Sequence, residues 1–178
     1  MALKHSYTLL APVYDFLVSR PLKQARKKSI NRILDTANKT ILIDGIGTGL
    51  DLAYLPRDAE YTGNDITPAM LSIAQKRALE NNFKIKLVCA DSQQLPFSDD
   101  AFDIVIMHLI LAVVPDSSLA LQEANRVLKP GGSLFMFDKF LKPGEFAPFR
   151  KTFNLISRHV ATRTDVVFEH VLEHSSSL

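Results

Sequence analysis

The chain has 178 residues, 47% of them hydrophobic and 22% charged, which is one ordinary domain with enough apolar material for a core and excludes a disordered chain. Lysines and arginines number 21 against 19 acids, and the resulting net charge of +2 gives no argument for nucleic acid as a partner. One cysteine, Cys89, excludes an internal disulfide, and no apolar run reaches the roughly 18 residues of a membrane span. The N-terminal stretch is broken by Pro12 and Asp15 and has no secretory h-region, so a cytoplasmic protein is expected.

In chain order, residues 6–18 read as a short helix interrupted at Pro12. Pro21 opens a second helix over residues 21–37. Its Leu22, Ala25, Ile30, Ile33 and Leu34 recur at roughly helical spacing, and Lys23, Arg26, Lys27, Lys28 and Arg32 occupy the other face. That basic face is either a solvated surface or a seat against anionic lipid headgroups. A first strand is expected at Thr40–Asp44, then a glycine-spaced turn and a helix through Ala53 to Leu55. A second strand, Glu60–Asn64, ends in Asp65; Thr67 caps a helix opened by Pro68 and stopped at Asn81-Asn82. The third strand, Lys84–Ala90, ends in Asp91, and Cys89 inside it reads as a buried, inert thiol. The fourth is Phe102–Leu109. Asp116 caps a helix through Leu128, Lys129-Pro130-Gly131-Gly132 breaks it, and a fifth strand covers Ser133–Phe137. The remainder, from Phe146 to about Glu173, reads as mostly helical.

The strand segments ILI, IVIM and LFMF are near-continuous apolar runs, as in parallel strands covered on both faces. Alternation with helices implies an α/β fold, a doubly wound and mostly parallel sheet with ligands at the strands' carboxyl ends. Without internal repeat or linker the whole chain, 1–178, reads as a single domain. A helical cap (1–38) precedes a core (39–138), and a helical segment (139–178) follows.

The turn GIGTG places Gly45, Gly47 and Gly49 within five residues. Such a turn lets backbone N–H groups approach a ligand; its bland alternative is a tight strand-to-helix turn with none. Asp65, twenty positions beyond Gly45, stands where an acid accepts from both ribose hydroxyls. Asp91 ends the next strand, where a short carboxylate can accept from an adenine amino group or cap a local turn. The two acids together favour one adenosine lying across the sheet edge.

These pieces, with YTGNDITPAML (Tyr61–Leu71), ADSQQLPFSDDAFDIV (Ala90–Val105) and EANRVLKPGGSL (Glu123–Leu134), resemble class I S-adenosylmethionine-dependent methyltransferases over most of residues 40–140. HLILAVVPD (His108–Asp116) and FDKFLKPG (Phe137–Gly144) are most similar to the branch of quinone and phosphatidylethanolamine methyltransferases and rhodoquinone-biosynthesis proteins. The resemblance implies a Rossmann-like methyltransferase fold with S-adenosyl-L-methionine as cofactor. It places Gly45, Gly47 and Gly49 around the methionine part, Asp65 at the ribose, Asp91 and Ser92 at the adenine, and Met70 beside the adenine ring. His108 would face the donor carbon, as a catalytic base if the acceptor must lose a proton. Tyr7 and Tyr14 would lie on the segment covering the cofactor.

Two departures stand out. The family's acid two positions before the first glycine is Ile43 here, and Asp44, one residue later, points to the opposite face. The final antiparallel hairpin expected after strand five is missing, which implies a truncated or alternative product, an edge covered by the last helix, or an edge paired in a homodimer. The expected cofactor-binding residues are Tyr14, Asp44, Gly45, Gly47, Gly49, Asp65, Met70, Asp91, Ser92 and His108, with no metal. HVLEH (His170–His174) matches a zinc-hydrolase pattern but lacks chain for a third ligand. The implied activity is methyl transfer to a small apolar, quinone or lipid-like acceptor. The alternatives are quinone amination with S-adenosylmethionine as amino donor, suggested by Ile43, and a non-catalytic cofactor-binding module.

Overall fold

A computed structural model of the chain describes residues 22–138. Five strands form one sheet: β1 (Thr40–Asp44), β2 (Glu60–Asp65), β3 (Lys86–Cys89), β4 (Phe102–His108) and β5 (Leu128–Phe137). Their order is β3-β2-β1-β4-β5 and every pairing is parallel. Residues 22–30 form helix α1, and α2 (Pro68–Glu80) and α3 (Ser117–Val127) follow. Between β1 and β2 a single 3-10 turn, Leu50–Ala53, replaces the expected helix.

The apolar runs produce this sheet because successive residues serve opposite faces. Leu42, Val105 and Met107 pack with Ala120, Leu121, Ala124 and Val127 of α3. Their neighbours Ile41, Ile43, Ile104 and Ile106 pack on the other face with Ile30, Ile33, Leu52 and Ala78. Each of the larger of these side chains (Val, Leu, Ile or Met) contributes about 1.5–3 kcal/mol by leaving water. Covering both faces brings the carboxyl ends of β1, β2 and β4 together at one rim.

Several boundaries differ from the sequence reading, for identifiable reasons. Helix α1 stops at residue 30, and Asp35 and Asn38 take left-handed backbone at φ 54 and 60. Leu34, expected on the helix's apolar face, is therefore 78% exposed. Arg26, expected on the basic solvent face, is buried against an acid from another element. β5 begins at Leu128 and runs through Pro130-Gly131-Gly132 with an irregular register opposite Phe102 and Ile104. A proline is tolerated there because β5 borders the described sheet on one side. β3 is shorter than expected and is the other border strand, which leaves Cys89 exposed rather than buried. Asp116 caps α3 as expected, accepting from the amides of Ser118 and Leu119. Thr67 precedes α2 without a side-chain cap bond; its amide donates to Asp65 instead. The helix at 6–18, Tyr7, Tyr14, the HVLEH motif and the covering of β5 by later chain lie outside the described residues. Among the described residues no helix is long and apolar enough to cross a membrane.

Candidate functional site

Where β1 ends, the chain must turn sharply to clear β4 and reach the 3-10 turn, and glycine makes this feasible. Gly45, Gly47 and Gly49 have φ of 72, 56 and 76. A Cβ on Gly45 would stand 2.7 Å from Ile110 Cδ1, and one on Gly49 would stand 3.3 Å from the Ala74 backbone. A Cβ on Gly47 would meet nothing within 4 Å, so this glycine faces open space. The turn is tied to β2 by the Gly47 amide, which donates to Asp65 Oδ2 at 2.9 Å, while Asp65 Oδ1 accepts from the Thr67 amide at 2.8 Å. Burial pushes the Asp65 carboxyl up, and these two N–H donors oppose the rise.

A cavity of about 390 Å³ opens above this rim. Gly45, Gly47, Asp65, Met70, Asp91, Ser92 and His108 all line it. Residues from the ends of four strands, 63 positions apart along the chain from Gly45 to His108, are thus brought to one wall. Asp44 and Gly49 are not on that wall, and Tyr14 is outside the described residues. The sequence reading missed Arg26, Thr48, Leu50, Ile66 and Thr67, and the apolar group Leu109, Ile110, Val113, Val114 and Pro115. The last group follows β4 directly, and its near-continuous apolar character was the available signal. Asp91 is braced locally by Gln93, whose amide donates to Oδ1 at 2.9 Å.

Behind the wall lie two buried aspartates. Asp44 is completely buried, and its Oδ1 accepts from Asn64 Nδ2 at 2.8 Å and Ser92 Oγ at 2.6 Å. Burial pushes its carboxyl up to about 6; Ser92 and Asn64 pull against that, and the nearby charges of Asp65 and Asp91 add to it. Ile43, in the position where the acid was expected, packs in the apolar cluster at 1% exposure, so no carboxylate reaches the cavity from there.

Asp51 comes from the 3-10 turn and is 4% exposed. Its Oδ1 accepts from Arg26 at 2.7 Å and its Oδ2 faces His108 Nδ1 at 3.0 Å. His108 Nε2 lies 2.9 Å from Ser29 Oγ on α1. Burial alone would raise the Asp51 carboxyl, but His108 and Arg26 together hold it below the usual range. Arg26 Nε, Asp44 Oδ2 and Asn64 Oδ1 are buried without a partner among the described residues. No cluster of three or more metal-ligating side chains occurs among those residues.

A parallel sheet of this order, with a glycine turn after β1, an acid ending β2 and a cavity at the carboxyl ends, defines a Rossmann-like α/β domain. Residues 43–136, more than half of the chain, match the family described as "Methyltransferase domain", and the chain belongs to that family. It is similar to the demethylmenaquinone methyltransferase of Thermus thermophilus, 36% identical over 141 residues that cover 74% of this chain and 63% of that protein. It is also similar to the ubiquinone/menaquinone biosynthesis C-methyltransferase UbiE of Rickettsia massiliae, 34% identical over 165 residues, 84% of this chain and 66% of that one. The chain thus spans just under two thirds of the length of both relatives. Its fold matches that of geranyl diphosphate C-methyltransferase from Streptomyces coelicolor A3(2), with a TM-score of 0.73 at 17% identity over 88% of this chain and 60% of that one. That structure is a complex with Mg2+, geranyl diphosphate and S-adenosyl-L-homocysteine.

Proposed function

We propose that the chain binds S-adenosyl-L-methionine and transfers its methyl group to a quinone-like acceptor. The observation that carries this reading is the convergence of Gly47, Asp65 and Asp91 on one cavity at the sheet's carboxyl rim. The residues suit the cofactor's size and polarity. Gly47 leaves open space where any side chain would intrude, and Asp65 keeps lone pairs for hydroxyl donors beyond the two amides it already serves. Asp91, with Ser92 beside it, offers an acceptor to an amino group, and Met70 presents an adaptable apolar surface to a flat ring. When bound, S-adenosylmethionine supplies an electrophilic methyl carbon on a sulfonium, so the donor needs no further activation.

The protein's work is then alignment and exclusion of water. Leu109, Ile110, Val113 and Val114 form an apolar wall next to His108, fitted to an apolar acceptor. The naming of both curated relatives as quinone methyltransferases supports methyl transfer over amination. With Arg26 buried, the basic face expected over residues 21–37 reduces to Lys23, Lys27, Lys28 and Arg32, all exposed. These charges suit contact with anionic lipid, where a quinone dissolves.

Titration calorimetry of the full chain with S-adenosylhomocysteine is expected to give one-site binding, weakened at least tenfold in Asp65→Ala. Absence of binding by the wild-type protein would overturn the reading. Co-sedimentation with anionic vesicles should fall when Lys23, Lys27 and Lys28 are changed to glutamine; binding unchanged by those substitutions removes the membrane contact.

A further inference from the structure

Gln93 lies two residues beyond Asp91, half-buried and outside the set of residues that line the cavity. Its side chain bridges two parts of the rim. Oε1 accepts from the Asp116 amide at 2.9 Å. That amide is in a fixed place, because the Asp116 carboxylate is occupied in capping α3 and the preceding residues Val113, Val114 and Pro115 form part of the cavity wall. A backbone N–H only donates, so the bond decides which way the Gln93 amide points and turns Nε2 to Asp91. There Nε2 donates to Oδ1 at 3.0 Å and reaches Oδ2 at 3.2 Å, while the Gln93 backbone amide donates to Oδ1 at 2.9 Å. Oδ1 thus serves two donors. Oδ2 has one longer bond and keeps capacity for a donor arriving from the cavity that Asp91 lines. The Ser92 hydroxyl gives its proton to buried Asp44 at 2.6 Å. The side chains of Asp91 and Ser92 therefore offer acceptors to the cavity and no proton.

We propose that Gln93 is the positioning residue that makes the site prefer a 6-aminopurine to a 6-oxopurine. The proposal rests on the S-adenosylmethionine reading above and deepens it, assigning base specificity to a residue that does not touch the base. Held by Gln93, the Asp91 carboxylate presents one oxygen at one place. An exocyclic amino group there donates to Oδ2. A 6-oxo group there sets an acceptor against an acceptor and is repelled. Hypoxanthine carries its N–H on the adjacent ring atom, and a carboxylate free to rotate would follow it. The Gln93 bonds oppose that rotation, so they disfavour the wrong base as well as favouring the right one.

The test is titration calorimetry of the full chain with S-adenosylhomocysteine and S-inosylhomocysteine, which differ in the purine 6-substituent and the ring proton that accompanies it. The wild type is expected to bind the adenosyl compound on the order of 10–150-fold more tightly. Gln93→Ala removes both side-chain bonds. Gln93→Glu keeps an acceptor for the Asp116 amide but replaces the donor facing Asp91 with a second carboxylate. Both variants should lower the preference about tenfold or more, chiefly through weaker adenosyl binding, with inosyl affinity unchanged or raised. A residue that only held the loop in place would weaken both compounds equally, and an unchanged ratio in either variant would overturn the proposal. So would a Gln93→Glu variant that keeps the wild-type preference, since the tie to Asp116 would then be the whole role. Equal wild-type binding of the two compounds would overturn the base assignment while leaving the cofactor site standing. Binding of neither compound by the wild type would remove the S-adenosylmethionine reading itself and this proposal with it.

Discussion

Asp44 and Asp51 stand seven residues apart on either side of the glycine turn, and both are buried, at 0% and 4% exposure. Their carboxyls nevertheless move in opposite directions. Asp44, served by the neutral donors Asn64 and Ser92, is pushed up to about 6, whereas Asp51, served by Arg26 and His108, is held below the usual range. Depth of burial therefore does not decide the state of a carboxylate at this rim; its partners do, for Asp51 first the His108 hydrogen bond and then the Arg26 charge. Near neutral pH Asp44 sits close to its titration, while Asp51 is a fixed anion. One behaves as a brace that titrates just below neutral pH, held by Asn64 and Ser92 behind the cavity wall. The other behaves as an electrostatic anchor between Arg26 and His108.

The largest expected effect comes from breaking the anchor. Asp51→Ala leaves Arg26 buried with its partner gone and should cost about 3–5 kcal/mol at pH 7. Urea unfolding measures it. The paired replacement Arg26→Met with Asp51→Leu should recover most of that loss, because both desolvation penalties vanish together. A double variant as unstable as Asp51→Ala would show that packing, not charge, governs this corner.

The brace gives a smaller and pH-dependent effect. In the unfolded chain an aspartate ionises near 4, whereas folded Asp44 holds its proton up to about 6. Its stabilising contribution is therefore complete below about pH 4 and lost as pH rises through 6. Asp44→Asn mimics the neutral form, and its amide can donate to Asn64 Oδ1, which lacks a partner among the described residues. The variant should match the wild type near pH 4 and exceed it at pH 8 by about 2–3 kcal/mol, from a shift of about two units. Asp51 contributes with the opposite sign: its stability is present above about pH 4 and falls away as pH drops below it. An Asp44→Asn gain that is equal at both pH values would contradict the contrast.

The brace was partly legible in sequence and the anchor was not. Thr40–Asp44, Asp65, Asp91 and the glycines are local patterns: an apolar run, an acid at its end, a turn with no side chains. Parallel pairing needs no further information to bring them to one rim. Arg26 sits among Lys23, Lys27 and Lys28, and locally it reads as one more solvated cation. Only the docking of Asp51, 25 residues later, buries it. The expected role of Asp44 was read from its place next to Gly45, but its side chain turns behind the cavity wall, where a long-range partner, Ser92, holds it. By contrast, Pro130-Gly131-Gly132 carries every local mark of a break, and the register with β4 does skip it, passing from Leu128 opposite Phe102 to Ser133 opposite Ile104. What local pattern does not encode is partnership across the fold.

Ser92 gives the smallest effect and the finest reading of the brace. Its hydroxyl donates to Asp44 at 2.6 Å and opposes the upward push of burial. Ser92→Ala removes a donor that favours the charged form more than the neutral one. The Asp44 titration should therefore move above 6, which carboxyl 13C NMR reads directly. The cost in stability should be about 1.5 kcal/mol at pH 8, where the bond serves an anion, and about 0.5 kcal/mol at pH 4.5, where it serves a neutral acid. If Asp44 were already an anion held by an unrecognised cation, as Asp51 is by Arg26, the two costs would be equal and the titration would stay in place.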